Sequence, residues 1–131
     1  GIPAHDVVID PLVMPIGALG NAGVGALNLI RRLHAELKVN TTCGASNMSF
    51  GLPNRHSLNG AFLSMAVGAG MTSAIMNPPH EPEMHAMWGA DVIAGHDKDC
   101  AAWIKRFREA APEGEAQGAR GGRSTRRRRS A

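Results

Sequence analysis

The sequence predicts an α/β fold in which short strands alternate with helices around a parallel sheet. Three predicted strands, residues 6–10, 39–47 and 71–77, are each followed by a segment of helical character. Their ends lie roughly 30 to 40 residues apart, a spacing that suits strand–helix–strand units of about 30 residues or more. Hydrophobic residues make up 44% of the 131-residue chain, enough for one core of mainly aliphatic side chains.

The first strand and the first helix follow from local composition. Residues 6–10 (DVVID) form a β-branched run between two prolines, which predicts a short buried strand. Over residues 21–38, Leu and Ile recur at helical spacing opposite Arg, Glu and Lys, which predicts an amphipathic helix. Asn40 is the predicted end signal of this helix.

The second strand is predicted over residues 39–47, and a polar loop follows it. A second helix is expected to begin at Ser57, a suitable N-cap, and to end at Gly70. The third strand, residues 71–77, stops at a pair of prolines.

Two further helices are predicted over residues 82–94 and 97–110. After Pro112 the composition changes to Glu, Gly, Ala, Ser and Arg without apolar periodicity. We therefore divide the chain into a folded domain, residues 1–111, and a disordered Arg-rich tail, residues 112–131.

Charge, apolar runs and cysteines restrict the class of protein. The net charge of +3 comes from the arginines of the tail, so the folded part has no basic footprint for nucleic acid. The least polar run, residues 61–76, carries no charge but is shorter than the roughly 20 residues that a membrane helix needs. Cys43 and Cys100 form no CxxC motif, and no signal-like amino terminus precedes them, so we expect a reducing, cytoplasmic setting. Cys43 is predicted to be a small core residue.

A polar residue stands at the end of each predicted strand: Asp10, Asn47 and Asn77. In parallel strand–helix architectures, ligand sites form at the carboxyl ends of the strands. A carboxylate and two amides could bind the edge of a flat, donor-rich heterocycle, and Gly44 would let the ring approach the backbone. The alternative is that Asp and Asn only cap strand ends and begin turns.

The sequence offers no convincing metal-binding motif. The segment HEPEMH contains His80, Glu81 and His85, but its histidines are five residues apart with a proline between them, whereas a zinc-binding HExxH helix places them four apart. His56 has no partner that the sequence makes visible. We therefore predict no metal ligands.

Four stretches resemble, in order and spacing, the carboxy-terminal half of the methyltetrahydrofolate:corrinoid methyltransferases: IDPLVMP, GASNMSFGLPNR, LNGAFLSMAVGAGMTSAIMNP and CAAWIKRFR. That family is related to the pterin-binding domain of cobalamin-dependent methionine synthase and, more distantly, to dihydropteroate synthase. The resemblance covers about residues 1–110, and its most specific part is the pattern G-x-S-N-x-S-F-G-L-P-x-R. It implies a TIM (β/α)8 barrel, typically of about 250 residues, of which this chain would supply only the last three βα units.

The resemblance also implies substrates and roles. Tetrahydrofolate or methyltetrahydrofolate would be the substrate, a separate corrinoid protein would carry the cobalamin, and the full-length family implies a homodimer. Asp10 would bind the pterin edge, Asn47 would act at N5, and Arg55 would lie on the rim that meets the corrinoid protein. The other residues expected at the pterin are Gly44, Ser46 and Ile75, with Asn77 as a further candidate.

Alternatives to this methyl-transfer hypothesis remain open. The chain could be an inactive barrel fragment, or could pair with another chain through its open sheet edges. The Arg-rich tail could instead bind nucleic acid or an acidic partner through nonspecific contacts. The direction of methyl transfer does not follow from the sequence.

Overall fold

The computed structural model describes residues 1–108, so the predicted disordered tail, residues 112–131, lies outside the described part, as does the end of the helix predicted to reach residue 110. The predicted alternation of strands and helices is confirmed. The regular elements are β1 (Val8–Ile9), α1 (Ala22–Arg32), β2 (Asn40–Thr41), α2 (Arg55–Gly68), α3 (Glu81–Ile93) and α4 (Ala101–Phe107). Short turns of 3₁₀ helix cover Ala4–Asp6, Ala45–Ser49 and Lys98–Cys100, and a π-helical turn covers Leu33–Leu37.

The extended segments are parallel, as predicted. In β1 and β2, Val8 pairs with Asn40. Residues 71–77 lie on the other side of β2, where the amide of Ile75 donates to the carbonyl of Cys43 at 2.8 Å and the amide of Ala45 donates to the carbonyl of Ile75 at 3.1 Å. The three segments therefore lie side by side in chain order, with the second in the middle.

The strands are shorter than predicted. Residues 4–6 form a 3₁₀ turn, and Val8 is 56% exposed, so the prediction of a buried strand over residues 6–10 is wrong there. The second strand stops before Ala45–Ser49, which fold as a 3₁₀ turn that contains Ser46 and Asn47. Ser and Asn favour such turns because their side chains can compete with the ladder for backbone hydrogen bonds.

Two helix boundaries also differ from the prediction. The π-helical turn that follows α1 ends at Lys38, whose φ of 53° is left-handed, so Asn40 is not the end signal. Asn40 lies in β2, and its side chain donates to the carbonyl of His5. Helix α2 begins at Arg55, before the predicted N-cap Ser57, whose hydroxyl donates to the side chain of Asn54. The predicted end at Gly70 is confirmed by its φ of 100°.

The core lies between one face of the sheet and helices α1 and α2. Ile30 of α1, Leu63 of α2 and Cys43 of the middle strand are fully buried there, which confirms Cys43 as a core residue. Helix α2 also packs along α3. Across the part of the chain that the structure describes, none of the helices combines the length and apolar character needed to span a membrane.

The opposite face of the sheet is open to solvent within residues 1–108. Val8 pairs with Asn40 and Ile75 pairs with Gly44, positions that alternate with the core-facing Thr41 and Cys43. Ile75 is 68% exposed although it is a β-branched apolar residue. The sheet therefore has one packed face and one exposed face that carries Val8 and Ile75.

Candidate functional site

Gly44 and the 3₁₀ turn Ala45–Ser49 shape the end of the middle strand. The amide of Asn47 donates to the carbonyl of Gly44 at 3.1 Å, which begins the turn. The side chain of Asn47 lies beside the same glycine, because a β-carbon at position 44 would be 3.0 Å from Asn47 Nδ2. The absence of a side chain at Gly44 thus leaves space for the exposed amide of Asn47.

Arg55, the first residue of α2, binds this turn through its side chain. Its Nη2 donates to the carbonyl of Ser46 at 2.9 Å, and its Nε donates to the hydroxyl of Ser49 at 3.1 Å. Its guanidinium also lies 5.5 Å from the ring centre of Phe50. Arg55 therefore positions the turn that carries Ser46 and Asn47. Its predicted contact with the corrinoid protein stays a prediction.

The third extended segment completes a concave surface with this turn. Its volume is about 420 Å³. Four of the seven predicted site residues line it: Ser46, Arg55, Ile75 and Asn77. Gly44 adjoins it through its bridge to Ile75, and Asn47 belongs to the same turn as Ser46. The structure thus brings together most of the residues that the sequence singled out at the second and third strands.

Asp10 occupies a separate position at the end of β1. Its carboxylate accepts a hydrogen bond of 2.8 Å from the amide of Leu12, a residue with a left-handed φ of 56°. Asp10 thus begins a turn, as the alternative interpretation of strand-end Asp residues expects. Asp10 also lies close enough to the middle strand to affect Cys43. Burial raises the pKa of Cys43 to about 11, and the charge of Asp10 contributes to this rise to a lesser extent. Asp10 does not line the concave surface that Ser46 and Asn77 share.

A polar cluster that the sequence analysis missed lies beside this surface. Helix α2 contributes His56 and Asn59, and His80 and Glu83 lie at the start of α3. Glu83 Oε1 is 2.9 Å from His56 Nδ1 and accepts a hydrogen bond of 3.0 Å from Asn59 Nδ2. The rings of His56 and His80 stack with centres 3.5 Å apart. The interpretation of His56 as a residue without a partner is therefore wrong.

Spacing within each helix is the signal that could have found this cluster. His56 and Asn59 are three residues apart on α2, as are His80 and Glu83 at the start of α3, so each pair lies on one helix face. Asn59 interrupts an otherwise apolar stripe, and both Asn59 and Glu83 are buried. Buried polar groups in such positions require hydrogen-bonding partners.

The surroundings of Glu83 favour its ionised form although it is only 4% exposed. Burial alone would raise its pKa, but hydrogen bonds from His56 and Asn59 and the charges of both neighbouring imidazoles together lower the pKa below the usual value. The cluster therefore places a carboxylate and two imidazoles next to the amide and hydroxyl groups of the concave surface.

Comparison with known proteins relates the chain to a named methyltransferase. No protein-family model matches the sequence. The chain is 36% identical, over 107 residues, to a methylcorrinoid:tetrahydrofolate methyltransferase from Eubacterium limosum. The match covers 77% of this chain, which spans only 38% of the length of that curated relative. The similarity supports a family-level relationship between the two proteins.

Proposed function

We propose that the chain is the carboxy-terminal part of an enzyme that transfers a methyl group from a methylated corrinoid protein to tetrahydrofolate. The observation that carries this proposal is the 36% identity with a relative named for that reaction and direction. The positions of Gly44, Ser46, Ile75 and Asn77 around one concave surface support it, since these were chosen from the sequence as pterin contacts.

The proposed whole is a (β/α)8 barrel of which this chain forms the last three units. Three parallel segments in chain order, with helices on one face, are the arrangement expected of consecutive barrel units. The exposed Val8 and Ile75 would then face the barrel interior, which the preceding strands would enclose. Three units of eight also correspond well to the 38% of the relative's length that the chain spans.

In this proposal the pterin ring of tetrahydrofolate binds at the carboxyl ends of the strands. Gly44 allows the ring to approach the backbone, and Ile75 offers an exposed apolar surface beside it. Ser46 and Asn77 supply polar groups at the same surface. Asp10, at the neighbouring strand end, is suited to accept paired N–H bonds from the pyrimidine edge of the pterin.

Asn47 is the proposed catalytic residue. N5 of the pterin would gain positive charge as it takes the methyl group from the corrinoid donor, which keeps the electron pair of the broken bond, and the N5 proton would then leave to solvent. The Asn47 amide, which has both a donor and an acceptor, can orient N5 and stabilise that charge. Positioned polar groups of this kind contribute roughly 10²–10⁴-fold to rate.

The methyl donor of the proposal is a corrinoid carried by a separate protein, which supplies the cobalt chemistry. Arg55 would contribute to its docking through the turn that it holds, together with the neighbouring Phe50, which is 65% exposed. The two free cysteines, which form no CxxC motif, favour a cytoplasmic location for the full-length enzyme, and the resembled family suggests a homodimer.

The experiment is a methyl-transfer assay with a methylated corrinoid protein and tetrahydrofolate, followed by the change in corrinoid absorbance. The 131-residue chain is tested alone and within a polypeptide that adds the preceding barrel strands. We expect transfer only with the completed polypeptide, and a loss of about 10²–10⁴-fold in Asn47→Ala.

Asn28→Ala is the matched control, because Asn28 is an exposed residue on α1 away from the proposed site. Full transfer by the Asn47→Ala enzyme would exclude the proposed role of Asn47. Absence of both transfer and tetrahydrofolate binding in the completed polypeptide would exclude the function itself.

A further inference from the structure

The start of α3 and the facing turn of α2 bring three potential metal ligands together. One nitrogen from each of His56 and His80 and one carboxylate oxygen of Glu83 all lie within 4.8 Å of one another. The residues come from two helices that pack along each other, so the cluster is held by the fold and not by one flexible loop.

Two atoms in this cluster lack partners. Among the described residues, His80 Nδ1 and Asn59 Oδ1 are buried side-chain atoms without a hydrogen bond. Asn59 itself is only 3% exposed. Buried polar atoms are rarely left unpaired in folded proteins, and an unpaired one points to an additional bound group such as an ion.

The donor set matches zinc and similar ions. We propose that His56, His80 and Glu83 bind a divalent transition-metal ion, for which Zn²⁺ is the best chemical match. Two imidazoles and one carboxylate are a known ligand combination for zinc sites that keep a further position open. This proposal does not depend on the methyl-transfer function.

The distances are compatible with one ion. Ligands bound to one tetrahedral Zn²⁺ at about 2.0–2.1 Å lie roughly 3.3 Å apart. His56 Nδ1 and Glu83 Oε1 are 2.9 Å apart, and the side chain of His56 is 60% exposed, so its stacked ring has space to turn toward the ion. Asn59 Nδ2 would hold the ligating carboxylate in place through its 3.0 Å hydrogen bond.

The site would open toward the concave surface described above. His56, Asn59 and Glu83 line that surface together with Ser46, Arg55 and Asn77. An ion bound by three protein ligands could therefore take a fourth ligand, such as water or an anion, from the 420 Å³ space.

The test uses the full 131-residue chain after removal of metal by a chelator. Co²⁺ serves as the spectroscopic probe, and Zn²⁺ as the competitor. We expect one Co²⁺ per chain with visible absorption typical of nitrogen and oxygen ligands, displacement by Zn²⁺, and a weakening of at least tenfold in both His80→Gln and Glu83→Gln.

Glu81→Gln and His85→Gln are the matched controls on the same helix, because these residues belong to the HEPEMH segment but not to the cluster. Both controls should bind Co²⁺ as the unmodified chain does. Absence of Co²⁺ binding by the unmodified chain at micromolar concentration would overturn the proposal, as would equal binding in the cluster and control variants.

A second measurement on the unmodified chain covers the case in which a cluster variant fails to fold. The measurement is the imidazole ¹⁵N chemical shift of each of the six histidines. When Zn²⁺ is added, only the resonances of His56 and His80 should shift. Shifts confined to other histidines would overturn the assignment.

Discussion

The side chain of Asn47 occupies the space that a side chain at Gly44 would need, with Nδ2 only 3.0 Å from the position of a β-carbon there. The backbone of Gly44, with φ of −73° and ψ of 90°, is open to alanine. Any effect of Gly44→Ala should therefore come from displacement of the Asn47 amide and not from backbone strain.

For Gly44→Ala we expect the side-chain amide resonances of Asn47 to shift, with a change in the free energy of unfolding of less than about 1 kcal/mol. A ¹⁵N–¹H spectrum and a urea titration measure the two quantities. Gly68→Ala is the control, because a β-carbon at Gly68 meets nothing within 4 Å. Unchanged Asn47 resonances in Gly44→Ala would show that the two residues are not in contact in solution.

Arg55→Ala should loosen the turn that contains Ser46. The change removes two hydrogen bonds from a charged donor, so we expect a loss of about 1–3 kcal/mol in the free energy of unfolding. Arg31→Ala should cost less than about 0.5 kcal/mol, because Arg31 is exposed and, within residues 1–108, bonds only to Asn28 on its own helix. Equal stability of the two variants in urea would mean that Arg55 does not hold the turn.

Two glycine substitutions should have opposite effects on stability. Gly25→Ala should raise the free energy of unfolding by about 0.5–1 kcal/mol, because Gly25 lies inside α1 with open space around it. Gly70→Ala should lower it by more than about 1 kcal/mol, because φ is 100° and the new β-carbon would come 2.5 Å from His34 Cγ. Thermal or urea unfolding of both variants measures the sign of each change in the free energy of unfolding. Changes of the same sign would contradict the different backbone conformations of Gly25 and Gly70.

The two cysteines should differ in reactivity toward a thiol reagent. Cys43 is fully buried with a pKa of about 11, so only about a thousandth of it would be thiolate at pH 8. Cys100 is exposed. We expect one fast-reacting thiol at pH 8 and a second only after denaturation. Cys100→Ser should abolish the fast phase, whereas rapid labelling of Cys43 in that variant would contradict its place in the core.

Glu83 should make stability depend on acidity. The pKa of Glu83 in the folded chain is below the usual 4.5. Its contribution to the free energy of unfolding is therefore fully present above pH 4.5 and is lost as the pH falls through the lower folded pKa. We expect the free energy of unfolding, measured with a chelator present, to fall as the pH is lowered from the usual value of 4.5 through the lower folded value. Glu83→Gln should flatten this slope, and Glu81→Gln, an exposed control on the same helix, should retain it.

The order of strands and helices was predictable because each depends on local features. The helical spacing of apolar residues over residues 21–38 predicts a helix without reference to the rest of the chain. Gly70 ends α2 because it can adopt a left-handed φ. Strand lengths were less predictable. Ser46 and Asn47 were included in the predicted second strand but fold into a turn that Arg55 holds from the next helix.

By itself, the sequence determined that the chain contains strand–helix units, that Gly44, Ser46 and Asn47 end the middle strand, and that Cys43 is a core residue. Only the tertiary structure decided that Arg55 binds Ser46 and that His56 meets Glu83. The physical reason is that hydrophobic periodicity reports which face of an element is buried, whereas contacts between polar side chains on different helices depend on how α2 packs against α3.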